Sequence, residues 1–157
     1  MSVAITKMFD SVTLTWNPLG GRCPFGCIYC WSMGEKGLVK RYKMKKYQGS
    51  PRLIEKEFKI FKEGEFVFVQ DMSDLFAEIV PKEYIERILG HTKKFPKTTF
   101  LLLTKNPKRY WEFEERIPSN CICGVTVETN RNKGYRKISH APLPTDRLAA
   151  MRLLKDD

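Results

Sequence analysis

The chain has 157 residues, of which 42% are hydrophobic and 29% charged, and its formal net charge is +10. These values are typical of a globular protein and leave no room for two full-sized domains, so one domain is predicted over residues 1–157. No apolar run approaches the ~18 residues that cross a bilayer, and Met1 to Asp10 lacks the apolar stretch of a signal peptide. A cytoplasmic protein without membrane contact is therefore expected.

The first half of the chain predicts two strands. Val12 to Trp16 alternates at period two and is rich in β-branched residues, which favours a strand. Pro51 to Phe61 carries apolar residues at helical spacing and predicts an amphipathic helix. Glu65 to Val69 is a near-continuous apolar run, typical of a parallel strand that is buried on both faces.

The second half repeats the alternation. A helix is predicted from Pro81 to Phe95, because proline suits a first turn and the apolar residues form one stripe. Thr98 to Leu103 predicts a buried strand, and a short helix is expected from Pro107 to about Glu115. Cys121 to Val127 predicts the fourth strand, and Thr145 is expected to be the N-cap of a last helix.

Strands that alternate with helices predict an α/β domain with a parallel sheet of about four βα units. In such sheets the functional residues gather at the carboxyl ends of the strands. Polar residues follow the last three predicted strands, in Gln70 to Asp74, Thr104 to Asn106 and Glu128 to Asn130. We expect them to lie around one edge of the sheet, together with the cysteine-rich loop that follows the first strand.

That loop contains Cys23, Cys27 and Cys30 in the spacing C-x3-C-x2-C. Five cysteines without a signal peptide argue against a disulfide framework and favour metal or redox chemistry. Iron–sulfur clusters normally take four cysteines, so three would leave one iron open to an outside ligand. Two alternatives stay open: three metal-free cysteines, and a zinc site whose fourth ligand comes from Cys121, Cys123 or His91.

The spacing, with Tyr29 directly before the last cysteine, resembles the radical S-adenosylmethionine (radical SAM) superfamily. Four further segments are similar to a subgroup of that superfamily found in phages and archaea, distantly related to the spore photoproduct lyase-like branch: Thr15 to Pro18, Phe68 to Phe76, Leu101 to Lys105 and Gly124 to Glu128. The resemblance covers the chain from Trp16 to about Leu154.

The resemblance implies a [4Fe–4S] cluster on Cys23, Cys27 and Cys30, with S-adenosylmethionine on the open iron. An external electron donor would drive its cleavage to methionine and a 5′-deoxyadenosyl radical, which abstracts hydrogen from a substrate of unknown identity. The superfamily core has six βα units, so the resemblance implies a partial (βα)6 barrel here. The two remaining units would belong to a longer protein, be lost from a split or degraded gene, or be replaced by another chain.

The resemblance also implies cofactor-binding residues. Tyr29 corresponds to an aromatic residue near the adenine, and Lys105 resembles a lysine that holds the cofactor carboxylate. The superfamily's Gly-Gly-Glu-like segment is absent, so Asp71 and Ser73 correspond to it by position only. An alternative interpretation makes Lys105 an exposed loop lysine. Another makes Asp71, Ser73 and Asp74 caps of the next helix.

Glu128 and Asn130 occupy the positions where ribose-binding residues occur in the superfamily. Glu128 has an alternative as the solvated partner of Arg131 or Lys133. Cys121 and Cys123 are expected on one face of a strand, packed in the core. His91 and His140 are expected at the surface or at helix ends, without a functional role.

The positive charge is concentrated in Lys36 to Lys46, which is either a solvated surface segment or a phosphate contact. The charge and Lys105 favour a nucleic-acid substrate. A second hypothesis is a non-catalytic nucleic-acid-binding module that is stabilised by zinc or by a structural cluster. An open sheet edge would further predict self-association or a partner that completes the sheet.

Overall fold

The computed structural model of the protein describes residues 9–154. It has six strands: β1 (Leu14–Trp16), β2 (Leu19–Gly20), β3 (Arg52–Leu53), β4 (Phe66–Val69), β5 (Thr99–Thr104) and β6 (Cys121–Val125). Four of them form a fully parallel sheet in the order β1–β4–β5–β6, and β2 pairs with β3 in an antiparallel ribbon. The predicted α/β class and the four-stranded parallel sheet are confirmed.

Three α-helices accompany the strands: α1 (Leu38–Arg41), α2 (Lys82–Thr92) and α3 (Pro144–Arg152). Short 3-10 segments occur at Lys45–Tyr47, Glu55–Glu57, Pro107–Arg116 and Tyr135–Lys137. The helix expected after Pro107 is thus a 3-10 helix. None of the helices in residues 9–154 is long and apolar enough to cross a membrane.

The core lies against the central strands, as their composition predicts. Val67 of β4 and Phe100 of β5 are fully buried, and Ile85, Ile88 and Leu89 bury one face of α2. Side chains three and four residues apart share one face of a helix, which explains why this stripe forms. Cys121 and Cys123 are partly buried and pack against the same core, as expected.

Aromatic rings surround Trp16, which is fully buried at the end of β1. The rings of Phe61 and Phe100 meet it edge-on at centroid distances of 5.2 and 6.2 Å. His91, in the last turn of α2, lies 5.2 Å from the same ring. His91 is therefore a helix-end residue, as expected, but it is half-buried in this aromatic cluster.

The helix predicted over Pro51 to Phe61 is wrong. Residues 52–53 form β3, Ile54 N donates to Pro18 O over 2.8 Å, and only Glu55–Glu57 is helical. The apolar spacing is satisfied instead by Phe58 and Phe61, whose rings pack on Trp16. Tertiary contacts override a local pattern in this way because propensity is a weak influence.

The N-cap assignment of Thr145 is also wrong. The last helix begins at Pro144, with Leu143 before it and no side-chain cap. Thr145 Oγ1 instead accepts a hydrogen bond from Asn132 Nδ2 over 2.7 Å. The hydroxyl thus ties α3 to the loop before it.

Some expectations fall on residues outside 9–154. The absence of a signal peptide was expected over Met1 to Asp10, most of which lies outside the described residues. The predicted domain also includes Lys155 to Asp157, which lies outside them too. The single domain over residues 1–157 stays a prediction.

Gln70 joins the loop after β4 to β2. Its side chain is buried, and its backbone has a positive φ of 59°. Gln70 Oε1 accepts from Leu19 N over 3.0 Å, and Nε2 donates to Leu19 O over 2.9 Å. The side-chain amide thus satisfies a buried backbone amide as another strand would, and it fixes the loop after β4 to β2.

We expect Gln70→Ala to lower the free energy of unfolding by about 3 kcal/mol, because both Leu19 backbone groups would lose their partners while buried. Urea unfolding of the full chain measures this. The matched control is Gln48→Ala, at an exposed position, for which a change within about 0.5 kcal/mol is expected. Equal effects of the two substitutions would contradict the role of Gln70.

Candidate functional site

The cysteine loop (Cys23 to Cys30) lies beside the carboxyl ends of the sheet strands. Just beyond it, the buried Ser32 hydroxyl donates to Met72 O, in the loop after β4, over 2.7 Å. Cys23 lies near Asp74 of the same β4 loop. Burial, followed by the charge of Asp74, raises the pKa of the Cys23 thiol to about 12. The loop is therefore fixed against β4 on one side.

A second set of contacts fixes the loop to the segment before α3. Ile28 N donates to Ile138 O over 3.0 Å, and His140 N donates to Phe25 O over 2.8 Å. Cys27 Sγ lies 3.1 Å from Ser139 Oγ, although the two residues are 112 positions apart in the sequence. His140 itself is exposed, as expected.

The three thiols differ in their surroundings. Cys27 is buried, whereas Cys23 and Cys30 are partly buried, and all five cysteines are free. Met33 N donates to Cys30 Sγ over 3.2 Å. Within residues 9–154 no group of three or more His, Cys, Asp or Glu side chains is arranged to hold a metal ion.

The donor set nevertheless suits a thiolate-bound cluster. Three thiols lie on one short loop, the Met33 N–H donates to Cys30 Sγ, and the Ser139 hydroxyl lies within hydrogen-bond distance of Cys27 Sγ. Donors to sulfur are typical around iron–sulfur clusters because they stabilise thiolate charge. The raised pKa of Cys23 means that a bound cation would have to displace its proton.

Asp74 joins the loop after β4 to the end of β5. Its Oδ1 accepts from Thr104 Oγ1 over 2.7 Å, and its Oδ2 accepts from Lys105 N over 2.7 Å. Burial raises the pKa of Asp74 in spite of these hydrogen bonds. The alternative that Asp71, Ser73 and Asp74 cap the next helix is wrong, because α2 begins eight residues after Asp74 without a side-chain cap.

Asp71 and Ser73 hold the loop rather than project from it. Asp71 Oδ1 accepts from Asn17 Nδ2 over 2.6 Å, and Asn17 Oδ1 accepts from Met72 N over 3.2 Å. Ser73 Oγ accepts from Gln70 Nε2 over 2.7 Å. Burial raises the pKa of Asp71. Asp71 thus connects the end of β1 with the loop after β4, whereas Ser73 holds Gln70 within that loop.

Three of the predicted cofactor-binding residues meet in one place. Lys105 Nζ lies 3.3 Å from Glu128 Oε2 and 5.5 Å from the centroid of the Tyr29 ring. The Lys105 and Glu128 side chains are 14% and 19% exposed, so the ion pair is largely shielded. Burial, followed by the neighbouring Glu128 and Cys27, raises the pKa of the Tyr29 hydroxyl. Tyr29 therefore links this cluster to the cysteine loop.

Arg147 and Tyr135 complete the cluster. Arg147 is fully buried, and its guanidinium donates to Glu128 Oε2 over 2.9 Å and to Thr126 O over 2.8 Å. The Tyr135 hydroxyl donates to Glu128 and accepts from Arg147. Burial acts to raise the pKa of Glu128, but hydrogen bonds from Tyr135, Arg147 and Tyr29 lower it to about 2.

Sequence reasoning gave Glu128 the wrong alternative partners. Its ion pairs are with Lys105 and Arg147, not with Arg131 or Lys133. An arginine in a short helix carries no local sign of burial, so Arg147 could not be singled out. Asn130 is exposed and takes no part in this network of the described residues.

A scan against protein-family models matches residues 8–153 to the family described as protein of unknown function DUF5131. The chain belongs to this family. A search of the curated proteins and a search of the solved structures each find no match. The description of the DUF5131 family assigns it no function.

In this DUF5131 protein the ionised Glu128 stabilises the fold at pH values above 4.5, the ordinary pKa of a glutamate. That contribution is lost as the pH falls towards about 2, the pKa of Glu128 in the folded protein. We therefore expect Glu128→Gln to lower Tm at pH 7 and to flatten the fall of Tm between these pH values. Thermal unfolding followed by circular dichroism across this range measures both effects.

The control for that comparison is Glu78→Gln, which removes an exposed carboxylate outside the network. Its Tm profile should follow that of the wild type. A Glu128→Gln profile parallel to the wild type down to pH 2 would contradict the lowered pKa.

Proposed function

We propose that this DUF5131 protein is a radical SAM enzyme, with a [4Fe–4S] cluster on Cys23, Cys27 and Cys30 and with S-adenosylmethionine as its cosubstrate. The four-stranded sheet would be the first part of a (βα)6 barrel. One observation carries the proposal: the cysteine loop meets Lys105 and Glu128, from the ends of two other strands, at one edge of the sheet. When bound, such a cluster supplies the electron that cleaves S-adenosylmethionine reductively to methionine and a 5′-deoxyadenosyl radical.

The loop's own contacts would support this role by fixing the segment that carries the three thiols. The backbone hydrogen bonds to Ile138 and from His140 hold one side of the loop, and Ser32 holds the other. The Ser139 hydroxyl and the Met33 N–H lie within hydrogen-bond distance of two of the sulfurs and would stabilise negative charge on them. These contacts would hold the loop in place, and the three thiols would have to turn towards one another to hold the cluster.

Lys105 and Glu128 would bind the polar parts of the cosubstrate. The Lys105 ammonium is a charge-assisted donor for a carboxylate, and the Glu128 carboxylate is an acceptor for ribose hydroxyls. Tyr29 offers an aromatic face beside them. The two charged residues now pair with each other, so a bound ligand would share or replace that pair.

The buried contacts behind Glu128 would keep it ionised and in place during such an exchange. Arg147 and Tyr135 both bond to its carboxylate independently of Lys105. Asp71 and Ser73 would act indirectly, by positioning the β4 loop, because Asn17 and Gln70 already engage them. Asn130, which is exposed and close to Glu128 in the sequence, would also bind the ribose.

The test is anaerobic reconstitution with iron and sulfide, followed by electron paramagnetic resonance of the dithionite-reduced protein. We expect a [4Fe–4S]⁺ signal that changes when S-adenosylmethionine is added, because one iron lacks a protein ligand. Cys30→Ser should lose most of the bound iron. The matched control, Cys121→Ser, should retain it, because Cys121 packs against the core.

Uptake of zinc without any cluster would contradict the enzyme and favour a different function. That second candidate is a metal-stabilised, non-catalytic nucleic-acid-binding module. Zinc has no redox chemistry, so the identity of the metal separates the two candidates. The observation that favours the second candidate is the run of residues 36–54, which contains seven Lys and Arg and no Asp or Glu.

The open edges of the sheet support a further part of the proposal, a partner that completes it. Within residues 9–154, β6 pairs only with β5, and its Ile122 side chain is 50% exposed. Unpaired backbone groups on an edge strand favour pairing with another strand. We expect multi-angle light scattering to show self-association of this chain that weakens on dilution. A monomer at every concentration would contradict self-association.

A further inference from the structure

The basic segment, residues 36–54, carries a charge of +7, most of the chain's formal net charge of +10. Its cations are Lys36, Lys40, Arg41, Lys43, Lys45, Lys46 and Arg52. Among the described residues only Lys46 pairs with a carboxylate, that of Glu57 at 2.6 Å. A solvated surface normally interleaves both signs of charge, so a run without acidic residues indicates an anionic partner.

The structure turns part of this segment into a groove. A cavity of about 360 Å³ is lined by three cationic side chains, Arg22, Lys40 and Lys43, together with Tyr47 and Gln48. All three cationic residues are exposed, and none of them pairs with a carboxylate within residues 9–154. We call this cavity the basic groove.

Hydrogen bonds within the chain hold the walls of the basic groove in place. Arg52 donates hydrogen bonds to the backbone carbonyls of Lys45, Lys46 and Gln48 over 2.8 to 3.1 Å. Arg22 N donates to Gly49 O over 2.9 Å, which joins the two sides. Arg52 is therefore a structural cation, and the groove does not have to form on binding.

Met33 places the basic groove next to the cysteine loop. Its side chain lines the groove, while its Sδ accepts from Cys23 N over 3.0 Å and its N donates to Cys30 Sγ. One residue thus separates the cations from the thiols. A polymer lying in the groove would pass beside the cysteine loop.

Two features favour a polymer over a small anion. Cations of the same segment, such as Arg41 and Lys45, lie outside the groove lining and extend the positive surface beyond it. Two exposed aromatic residues contact or follow α1, which supplies Lys40 to the groove lining. Trp31, whose O accepts from Leu38 N, is 44% exposed, and Tyr42, directly after the helix, is 66% exposed. Basic grooves bordered by exposed aromatic rings are typical of single-strand binding, because unpaired bases stack on the rings.

We propose that the basic groove binds the phosphate backbone of a single-stranded nucleic acid, with bases stacking on Tyr42 or Trp31. The proposal rests on charge and shape alone and does not need a cluster. If the proposed enzyme activity also holds, the basic groove identifies a single-stranded nucleic acid as the substrate class and is the surface that binds it.

The first test is fluorescence anisotropy of the full chain with a labelled oligodeoxythymidylate of about 20 nucleotides, longer than a typical single-strand site. Affinity should fall steeply between about 50 and 200 mM salt, because phosphate contacts release counterions. Lys40→Gln combined with Lys43→Gln should weaken binding about tenfold and reduce the salt slope by about 1.4, for two lost contacts.

The matched control combines Lys93→Gln with Lys94→Gln. It removes the same charge from two exposed lysines that follow α2, outside the groove. We expect it to change affinity by no more than about twofold, as a general change of net charge would. Equal losses in both double variants, or no binding by the wild type at low salt, would overturn the groove. Matching Tm values will show that each variant is folded.

The second test concerns the single strand. Tyr42→Ala together with Trp31→Ala should weaken binding severalfold, whereas Tyr42→Phe should not, because phenylalanine keeps the stacking ring. Competition by an unlabelled duplex of equal length should be weaker than competition by the single strand. Equal competition with no effect of the ring removals would overturn the single-strand assignment. Iron content is measured separately, so failure here is distinguishable from failure of the proposed cluster.

Discussion

The parallel pairing of four strands is the constraint on which the rest of the structure depends. Because β1, β4, β5 and β6 run in the same direction, the segments that follow them all leave from one edge of the sheet. Every departing segment brings backbone and side-chain polar groups that need partners where water is scarce. Gln70 and Asp74 meet this need by bonding from one segment to the next. The edge is thus a connected polar layer rather than a set of independent loops.

Buried charge at this edge makes its geometry specific. Arg147 is fully buried, and an unpaired charge in that position would cost several kcal/mol. Its guanidinium is satisfied only when Glu128, Tyr135 and the nearby carbonyls are all in place. The network therefore favours one arrangement of the β6–α3 connection over its alternatives. That arrangement places Glu128 beside Lys105 and Tyr29.

The cysteine loop lies between two surfaces. On one side Tyr29 reaches the Lys105–Glu128 pair, and on the other Met33 borders the basic groove. In the proposed function, a cofactor would occupy the first surface and a nucleic-acid strand the second. For its hydrogen to be abstracted, a nucleotide of that strand would have to extend past the loop to the cofactor on the first surface. The loop is held by contacts to both the β4 loop and the segment before α3, which suits it to this intermediate position.

The sequence by itself determined the four strands of the parallel sheet and the grouping of the polar residues that follow them. Phe66–Val69 and Thr99–Thr104 were predictable because a parallel strand that is buried on both faces needs a continuous apolar run. The sequence also predicted where the cysteines, Lys105 and Glu128 lie in the fold. The basis was local: the spacing of the cysteines and the place of the other two residues directly after strands. Parallel topology then brings such positions to one edge.

Only the tertiary structure decided the rest. Pro51 to Phe61 has helical spacing, yet its rings pack on Trp16 and its backbone pairs with β2. Asp74 and Ser139 gain their roles from partners 31 and 112 residues away, and the buried Arg147 gains its role from a carboxylate on another element. Such contacts leave no local pattern, because hydrogen bonds and buried ion pairs depend on distance in space and not on separation along the chain.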